Sequence, residues 1–461
     1  MPSVNPFQTN LILLLALCLG LPAYALPANM PHHFNVQHLE PALLKLDQEI
    51  RTYLKTKHIP GCAVAVVHQN KIVFMRAYGQ RSLDQPEPID VDTVFQLGSV
   101  SKPLASSLLS ILEHKGYLHL DDPVHHYLKN FSPKNRHAKQ ALKIKHILSH
   151  SSGVPRAGFN QLIESHTPYL HIRNRLQNSL ISHAIGKRYD YNNAMYGTLS
   201  EVTYMATKHS FKDALQLNLL APLKMSRTTT TLNGLLQTEN RAQPHVRDHR
   251  GVLSSCASYS QGYYAVAPAG GINSSLRDMS IFLQAQMGGY PEVLNAKMLN
   301  RIHTPQVQTD PALGSVTRYP QLINQGRYAM GWRVVHFGHH KLIFHGGWVK
   351  GFTNFIGFMP EHKIGIVVLH NSESKFSSKV GVHFFESLLE LPIRPPSRSR
   401  LARTKSIHSR TKTNRIKIIR PLKRLKTVHQ VPAQLRAQAR TQAHTLKKRP
   451  TQKKYENTVR K

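Results

Sequence analysis

Ser99-Val100-Ser101-Lys102-Pro103-Leu104 opens an apolar run in which Leu104, Leu108, Leu109 and Leu112 mark the buried face of a helix read over residues 99–113. If Ser99 starts that helix, its hydroxyl and the Lys102 amine project from the same face of the first turn. A serine hydroxyl is a weak nucleophile by itself. A neighbouring lysine takes its proton only where burial or nearby positive charge lowers the amine from its usual pKa of about 10.4. The helix N-terminus would add a backbone N–H directed at a developing oxyanion. Alone, the tetrad favours an ordinary core helix, so the text around it has to decide.

Upstream, residues 39–55 have helical apolar spacing, and 61–67 and 71–78 are β-rich runs whose connector, His68-Gln69-Asn70, suggests a hairpin. Downstream, residues 118–283 are mostly helical segments broken by turn clusters such as Asp121-Asp122-Pro123 and Ser151-Ser152-Gly153. Strand patterns return at 328–335, 341–345, 353–359 and 364–370 and suit an antiparallel sheet. The prediction is an α+β, sandwich-like fold: the N-terminal hairpin and the C-terminal strands share one antiparallel sheet, helices flank it, and the middle of the chain forms an inserted, mainly helical lobe. No internal repeat is present.

Two later patterns raise the standing of the first. In Tyr191-Asn192-Asn193 a polar turn precedes a helix. Tyr191 there can relay a proton, and Asn193 can bind a substrate amide and hold the lysine; the plainer alternative is an Asn helix cap beside a core tyrosine. His345-Gly346-Gly347 ends the strand that starts at residue 341. Glycine lets a substrate backbone approach a sheet edge, and His345 can relay protons or, when charged, bind a carboxylate. The alternative is a strand ending in a glycine turn.

Ser-x-x-Lys, Tyr-x-Asn and His-x-Gly in this order resemble the serine β-lactamase family, particularly class C enzymes and their D-alanyl carboxypeptidase and esterase relatives. The resemblance spans residues 40–390. It is supported by Leu118-His119-Leu120-Asp121-Asp122-Pro123-Val124, Ile144-Lys145-His146-Ile147-Leu148-Ser149-His150-Ser151-Ser152-Gly153, Ala269-Gly270-Gly271-Ile272 and Gly351-Phe352-Thr353-Asn354. It implies that Ser99 attacks a β-lactam or D-alanyl amide carbonyl while Lys102 and Tyr191 share the proton transfers. Asn193 would hold the substrate side-chain amide, and the N–H groups of Ser99 and Trp348 would form the oxyanion hole. His345 stands where the best-known β-lactamases carry lysine, and Trp348 where they carry a small residue.

The 461 residues carry a formal charge of +36, with a pI near 10.3. Residues 391–461 hold 22 Lys or Arg and one acid, Glu456, which is +21 of the total. Such a segment cannot bury enough surface to offset its ordering entropy and reads as a disordered basic tail. The apolar run 11–21 followed by Ala23-Tyr24-Ala25 reads as a cleaved leader, with an uncleaved anchor as the plainer alternative. The division expected is a signal peptide at 1–25, a hydrolase domain at 26–392 and the tail at 393–461, with a periplasmic or secreted location.

Cys62 and Cys256 remain after cleavage and read as unpaired rather than as a disulfide framework. Among 29 histidines no His-Glu-x-x-His or His-x-His-x-Asp pattern appears, and His125-His126 has no ligands at useful spacing. No metal, and with no phosphate loop no nucleotide cofactor, is expected. The tail has no aromatic series for stacking on nucleic acid, so either an anionic envelope surface or no partner at all is expected of it. The substrate expected is a small molecule or a peptidoglycan-derived compound. Two functions follow: a serine hydrolase that turns over through an acyl-enzyme, or a penicillin-binding sensor or scaffold that acylates and holds its ligand.

Overall fold

The computed structural model describes residues 34–57, 59–128, 131, 140–256, 258–313 and 315–389. The leader read at 1–25 and the basic segment 393–461 lie outside the described residues. Strands β1 (Gly61–His68) and β2 (Lys71–Ser82) form the expected hairpin, turned by Gln69 and Asn70 at φ 48° and 62°. Then come β3 (Gln85–Pro88), β4 (Val94–Gln96), β5 (His245–Arg247), β6 (Leu253–Ser255), β7 (Asn273–Ser275) and β8 (Val307–Gln308). The C-terminal set is β9 (Ile323–Tyr328), β10 (Arg333–Phe337), β11 (His340–Val349), β12 (Phe352–Met359) and β13 (Ile364–His370).

Nine of these strands make one antiparallel sheet in the order β3-β2-β1-β13-β12-β11-β10-β9-β8. Pairing of β1 with β13, from Cys62 opposite His370 to His68 opposite Ile364, joins the two ends of the domain. The fold is therefore the α+β arrangement the sequence predicts, with helices on both faces. Both faces are buried, which explains why the central strands read as continuous apolar runs rather than as alternating ones. Cys62, Val64 and Val66 of β1 pack toward the terminal helices Leu39–Lys57 and Phe376–Leu388. Ala63, Ala65 and Val67 face the other way, into the core shared with the lobe.

Helix Ser101–His114 runs through that second core, buried from Ser101 to Leu112. The leucines alone do not account for this. Ser106, Ser107 and Ser110 are buried as well, bonded to Met330 O, Pro103 O and Met298 O, so small hydroxyl side chains let neighbouring backbone approach the rest of the helix surface.

Two strand readings are corrected. Residues 328–335 are not one strand: Gly331, at φ 77°, turns the chain between β9 and β10, and Ala329 N–H donates to Trp332 O at 2.8 Å. A mostly apolar run, interrupted by Gly331 and Arg333, concealed a turn. Nor does β11 stop at His345; it continues paired with β12 through Val349. Cys62 is buried, Cys256 is partly exposed, and both are free thiols.

Candidate active site

Ser99 does not open the long helix. It occupies a 3-10 turn, Gly98–Val100, that leads into it. Gly98 has φ 54°, a left-handed conformation glycine adopts without steric cost. The Asn354 side chain on β12 donates to the carbonyls of Gln96 (2.9 Å) and Leu97 (3.1 Å), which fixes the chain just before the serine.

One helical turn on, Lys102 brings Nζ to 3.2 Å from Ser99 Oγ. Lys102 is fully buried, and its Nζ donates to Asn193 Oδ1 at 2.8 Å and to Ala269 O at 2.7 Å. Burial first, and then the Arg333 charge, push this amine well below its ordinary range. A neutral amine has two N–H groups and one lone pair. When the amine is neutral, Asn193 and Ala269 take its two hydrogens and the lone pair is left for the Ser99 hydroxyl; when it is charged, its third N–H donates to Ser99 Oγ.

Tyr191 Oη lies 2.6 Å from Ser99 Oγ, and Lys102 Nζ lies 4.6 Å from the centroid of the same tyrosine ring. Burial raises the phenol above its ordinary value, so Tyr191 is protonated at neutral pH. Asn192 caps the short helix Asn193–Gly197, accepting from Met195 N–H at 2.9 Å. The cap reading and the functional reading of this tripeptide thus coexist: Asn192 fixes the turn, and the residues on either side of it reach Ser99 and Lys102.

His150 supports this corner. At φ 54° its buried ring lies 4.2 Å, centroid to centroid, from that of Tyr191. Its Nδ1 accepts from Asn192 N–H at 3.2 Å, which assigns the proton of the neutral ring to Nε2. Burial, followed by the charges of Lys102, His345 and Arg333, keeps it neutral.

The third motif sits differently from its sequence reading. His345 is not presented to the cleft as a carboxylate ligand: it is buried, with Nε2 2.9 Å from Tyr328 Oη and Nδ1 2.8 Å from Gly346 O. Burial first, then Lys102 and Arg333, hold its pKa well below the usual imidazole value, so it is neutral. Gly347 serves the nucleophile turn, because a Cβ there would stand 2.1 Å from Leu97 O. β10 pairs with β11 only as far as Phe344, so from His345 to Val349 strand β11 is bound along its β12 side. Trp348 is half exposed and lines a cavity of about 380 Å³ with Tyr259, Tyr263, Glu164, His166 and Lys350.

The permanent cation of the site is Arg333, at the start of β10. Its guanidinium lies over the rings of Tyr189 (5.6 Å) and Tyr328 (5.7 Å) and donates to Tyr189 Oη at 3.0 Å. Among the described residues no carboxylate forms an ion pair with it. Arg333, His150, Ala269 and Asn354 were not singled out from sequence as site residues. The last three lie in segments quoted for the resemblance, but only their place in that pattern signalled them.

A family model, Beta-lactamase, matches residues 46–382. The chain is 24% identical over 348 residues to Protein flp of Staphylococcus aureus strain N315, covering 74% of this chain and 65% of that one. It is also 24% identical over 369 residues to Beta-lactamase-like protein 4 of Dictyostelium discoideum, covering 75% and 62%. The chain therefore spans a little under two thirds of the length of these curated relatives. The octameric penicillin-binding protein homologue from Pyrococcus abyssi shares the fold, with a TM-score of 0.66 at 22% identity over 75% of this chain and 77% of that one.

Proposed function

The chain belongs to the beta-lactamase family, and on that premise we propose that it is a serine hydrolase that forms an acyl-enzyme on β-lactams or related D-alanyl amides and esters. The observation that carries the reading is the contact set around Ser99 Oγ: Tyr191 Oη at 2.6 Å and a fully buried Lys102 Nζ at 3.2 Å. Ser99 Oγ bonds to the carbonyl carbon as its proton passes to Lys102 Nζ. The carbonyl oxygen becomes an oxyanion facing the N–H groups of Ser99 and Trp348, each such donor contributing about 2.7–4 kcal/mol in comparable sites.

Collapse breaks the C–N or C–O bond, and the leaving atom takes a proton. Lys102 is sealed from solvent whereas Tyr191 is partly exposed, so Tyr191 delivers that proton; as phenolate it then takes a proton from the incoming water, whose oxygen bonds to the acyl carbon, and the departing Ser99 Oγ recovers its proton from Lys102. Asn193, held by Lys102, offers its amide to the substrate side chain. Arg333 supplies the charge for a substrate carboxylate that neutral His345 lacks. We also propose an exported protein whose substrate comes from the cell envelope, with the basic segment drawn to anionic surfaces there.

The test is a time course with a chromogenic cephalosporin and a fluorescent penicillin, run beside Ser99→Ala. Ser99-dependent turnover is the expected result. One stable Ser99-dependent label without turnover would replace the hydrolase by a penicillin-binding sensor, and labelling that persists in Ser99→Ala would overturn the nucleophile.

A further inference from the structure

At the end of the sheet remote from Ser99, two connections meet. One is the turn into β11, with Gly338 at φ 62° followed by His340; the other is the 3-10 turn Pro360–His362 between β12 and β13. His362 Nε2 lies 2.9 Å from His340 Nδ1, and a Glu361 carboxylate oxygen lies within 4.8 Å of both rings' ligand atoms. Among the described residues this is the group of three such side chains whose donor atoms converge to within that distance. The Phe34 ring stacks on His362 at 4.1 Å and 12°, which fixes the imidazole plane, and Phe34 bridges Leu389 at the opposite end of the domain's chain.

We propose that His340, Glu361 and His362 bind a first-row divalent cation of the Zn²⁺ type, through two imidazole nitrogens and a carboxylate oxygen with water completing the shell. The donor set fits: neutral imidazole and carboxylate suit Zn²⁺ and its neighbours, whereas Mg²⁺ and Ca²⁺ prefer all-oxygen shells. The spacing fits as well. Two nitrogens at tetrahedral positions on one Zn²⁺ stand about 3.3 Å apart for Zn–N of about 2.0–2.1 Å, so the rings part by about 0.4 Å, while the exposed Glu361 carboxylate, within 4.8 Å of them, swings in by side-chain rotation. In the metal-free contact one ring nitrogen must donate to the other, and a cation replaces that shared proton by satisfying both lone pairs.

The site is structural rather than catalytic. The eight-residue step along β11 from His340 to Trp348 amounts to about 26 Å at about 3.3 Å per residue, well beyond any contact with the reacting atoms. A bound ion would pin the β10–β11 turn to the β12–β13 turn beside the place where the chain enters and leaves the domain. The inference does not rest on the catalytic proposal.

The experiment uses the full chain stripped with EDTA and then titrated with ZnCl₂ and CoCl₂. The parent should take up one tight equivalent of Zn²⁺, show four- or five-coordinate Co²⁺ d–d absorption, and gain a few degrees in Tm with either ion. His340→Ala/His362→Ala should lose all three effects while keeping the parent's circular dichroism and its Ser99 labelling. Glu361→Gln should retain the fold and bind more weakly. His125→Ala/His126→Ala should behave as the parent does. Absence of the tight equivalent or of the Co²⁺ spectrum in the parent overturns the site whatever the variants do. So does binding that survives the double variant or disappears with His125 and His126.

Discussion

Gly98 meets the main chain of Trp348 with no room for a side chain between them: a Cβ on Gly98 would stand 2.8 Å from the Trp348 carbonyl oxygen and 3.0 Å from its nitrogen. The contact is reciprocal, since Gly347 leaves the space a Cβ would share with Leu97 O. The two peptides proposed to hold the oxyanion are thus carried on backbone segments packed directly against each other. Asn354 binds one segment, and β12 pairs with the other. Their spacing is set before substrate arrives, which is what makes such donors effective in the transition state.

Gly98→Ala should therefore damage acylation more than folding. A methyl at positive φ, pressed on Trp348, must push strand and turn apart and misalign at least one donor. The second-order rate of labelling by a fluorescent penicillin is expected to fall by about 10²–10³-fold. Thermal unfolding should still be cooperative, with a loss on the order of 1–3 kcal/mol. Labelling at the parent rate would mean that this contact does not set the oxyanion donors.

The lowered pKa of Lys102 has a consequence for stability as well as rate. In the unfolded chain the amine titrates near its ordinary value of about 10.4, so between the depressed folded pKa and that value the unfolded state binds the extra proton. Stability must rise with pH through this window, by up to about 1.4 kcal/mol per pH unit. Urea unfolding of the parent and Lys102→Met between pH 7 and 10 isolates the effect: the parent should gain on the variant as pH rises. Parallel curves would show an amine that is charged in the folded protein.

The fold was legible because its signals are local. Apolar runs of strand length, the turn residues Gln69 and Asn70, and a three-residue hydroxyl–amine spacing each declare themselves within a few positions. The site was legible only as far as side-chain type carries the chemistry. Ala269 holds Lys102 through a main-chain carbonyl 167 residues away, and any residue has a carbonyl. Arg333 and His150 matter because of what packs around them, and the turn at Gly331 was hidden by the apolar residues on both sides of it. His340, Glu361 and His362 escaped notice for the same reason: antiparallel pairing of β11 with β12 brings them together, with no motif in the linear text.

Arg333 connects two measurable properties. Its charge helps to lower the Lys102 amine, and the base is active when neutral, so kcat/KM should fall on the acid side as Lys102 becomes protonated. Arg333→Met removes that repulsion, raises the Lys102 pKa and moves the acid limb to higher pH. The same variant should lose more on a substrate with a free carboxylate than on its methyl ester, by about 10-fold or more if a charged hydrogen bond is lost. An unmoved limb would dissociate Arg333 from Lys102, and equal losses on the two substrates would remove it from carboxylate binding.

Trp348 separates the backbone's role from the side chain's. Its N–H belongs to the proposed oxyanion hole, yet the residue is 50% exposed and lines the cavity shared with Tyr259 and Tyr263. Trp348→Ser keeps the N–H and removes the ring. Because the residue is half exposed, stability should change little, within about 1 kcal/mol. What should change is the ranking of substrates. Compounds with an aromatic group on the acyl side lose a stacking surface worth about 0.5–1.5 kcal/mol, so their KM should rise by about 2- to 10-fold. Bulky branched acyl groups, excluded by the indole, should gain in kcat/KM. A uniform fall for every substrate would mean that the indole holds the oxyanion strand in place rather than shaping the cleft. No change for any of them would put the acyl group elsewhere than in the cavity beside Trp348.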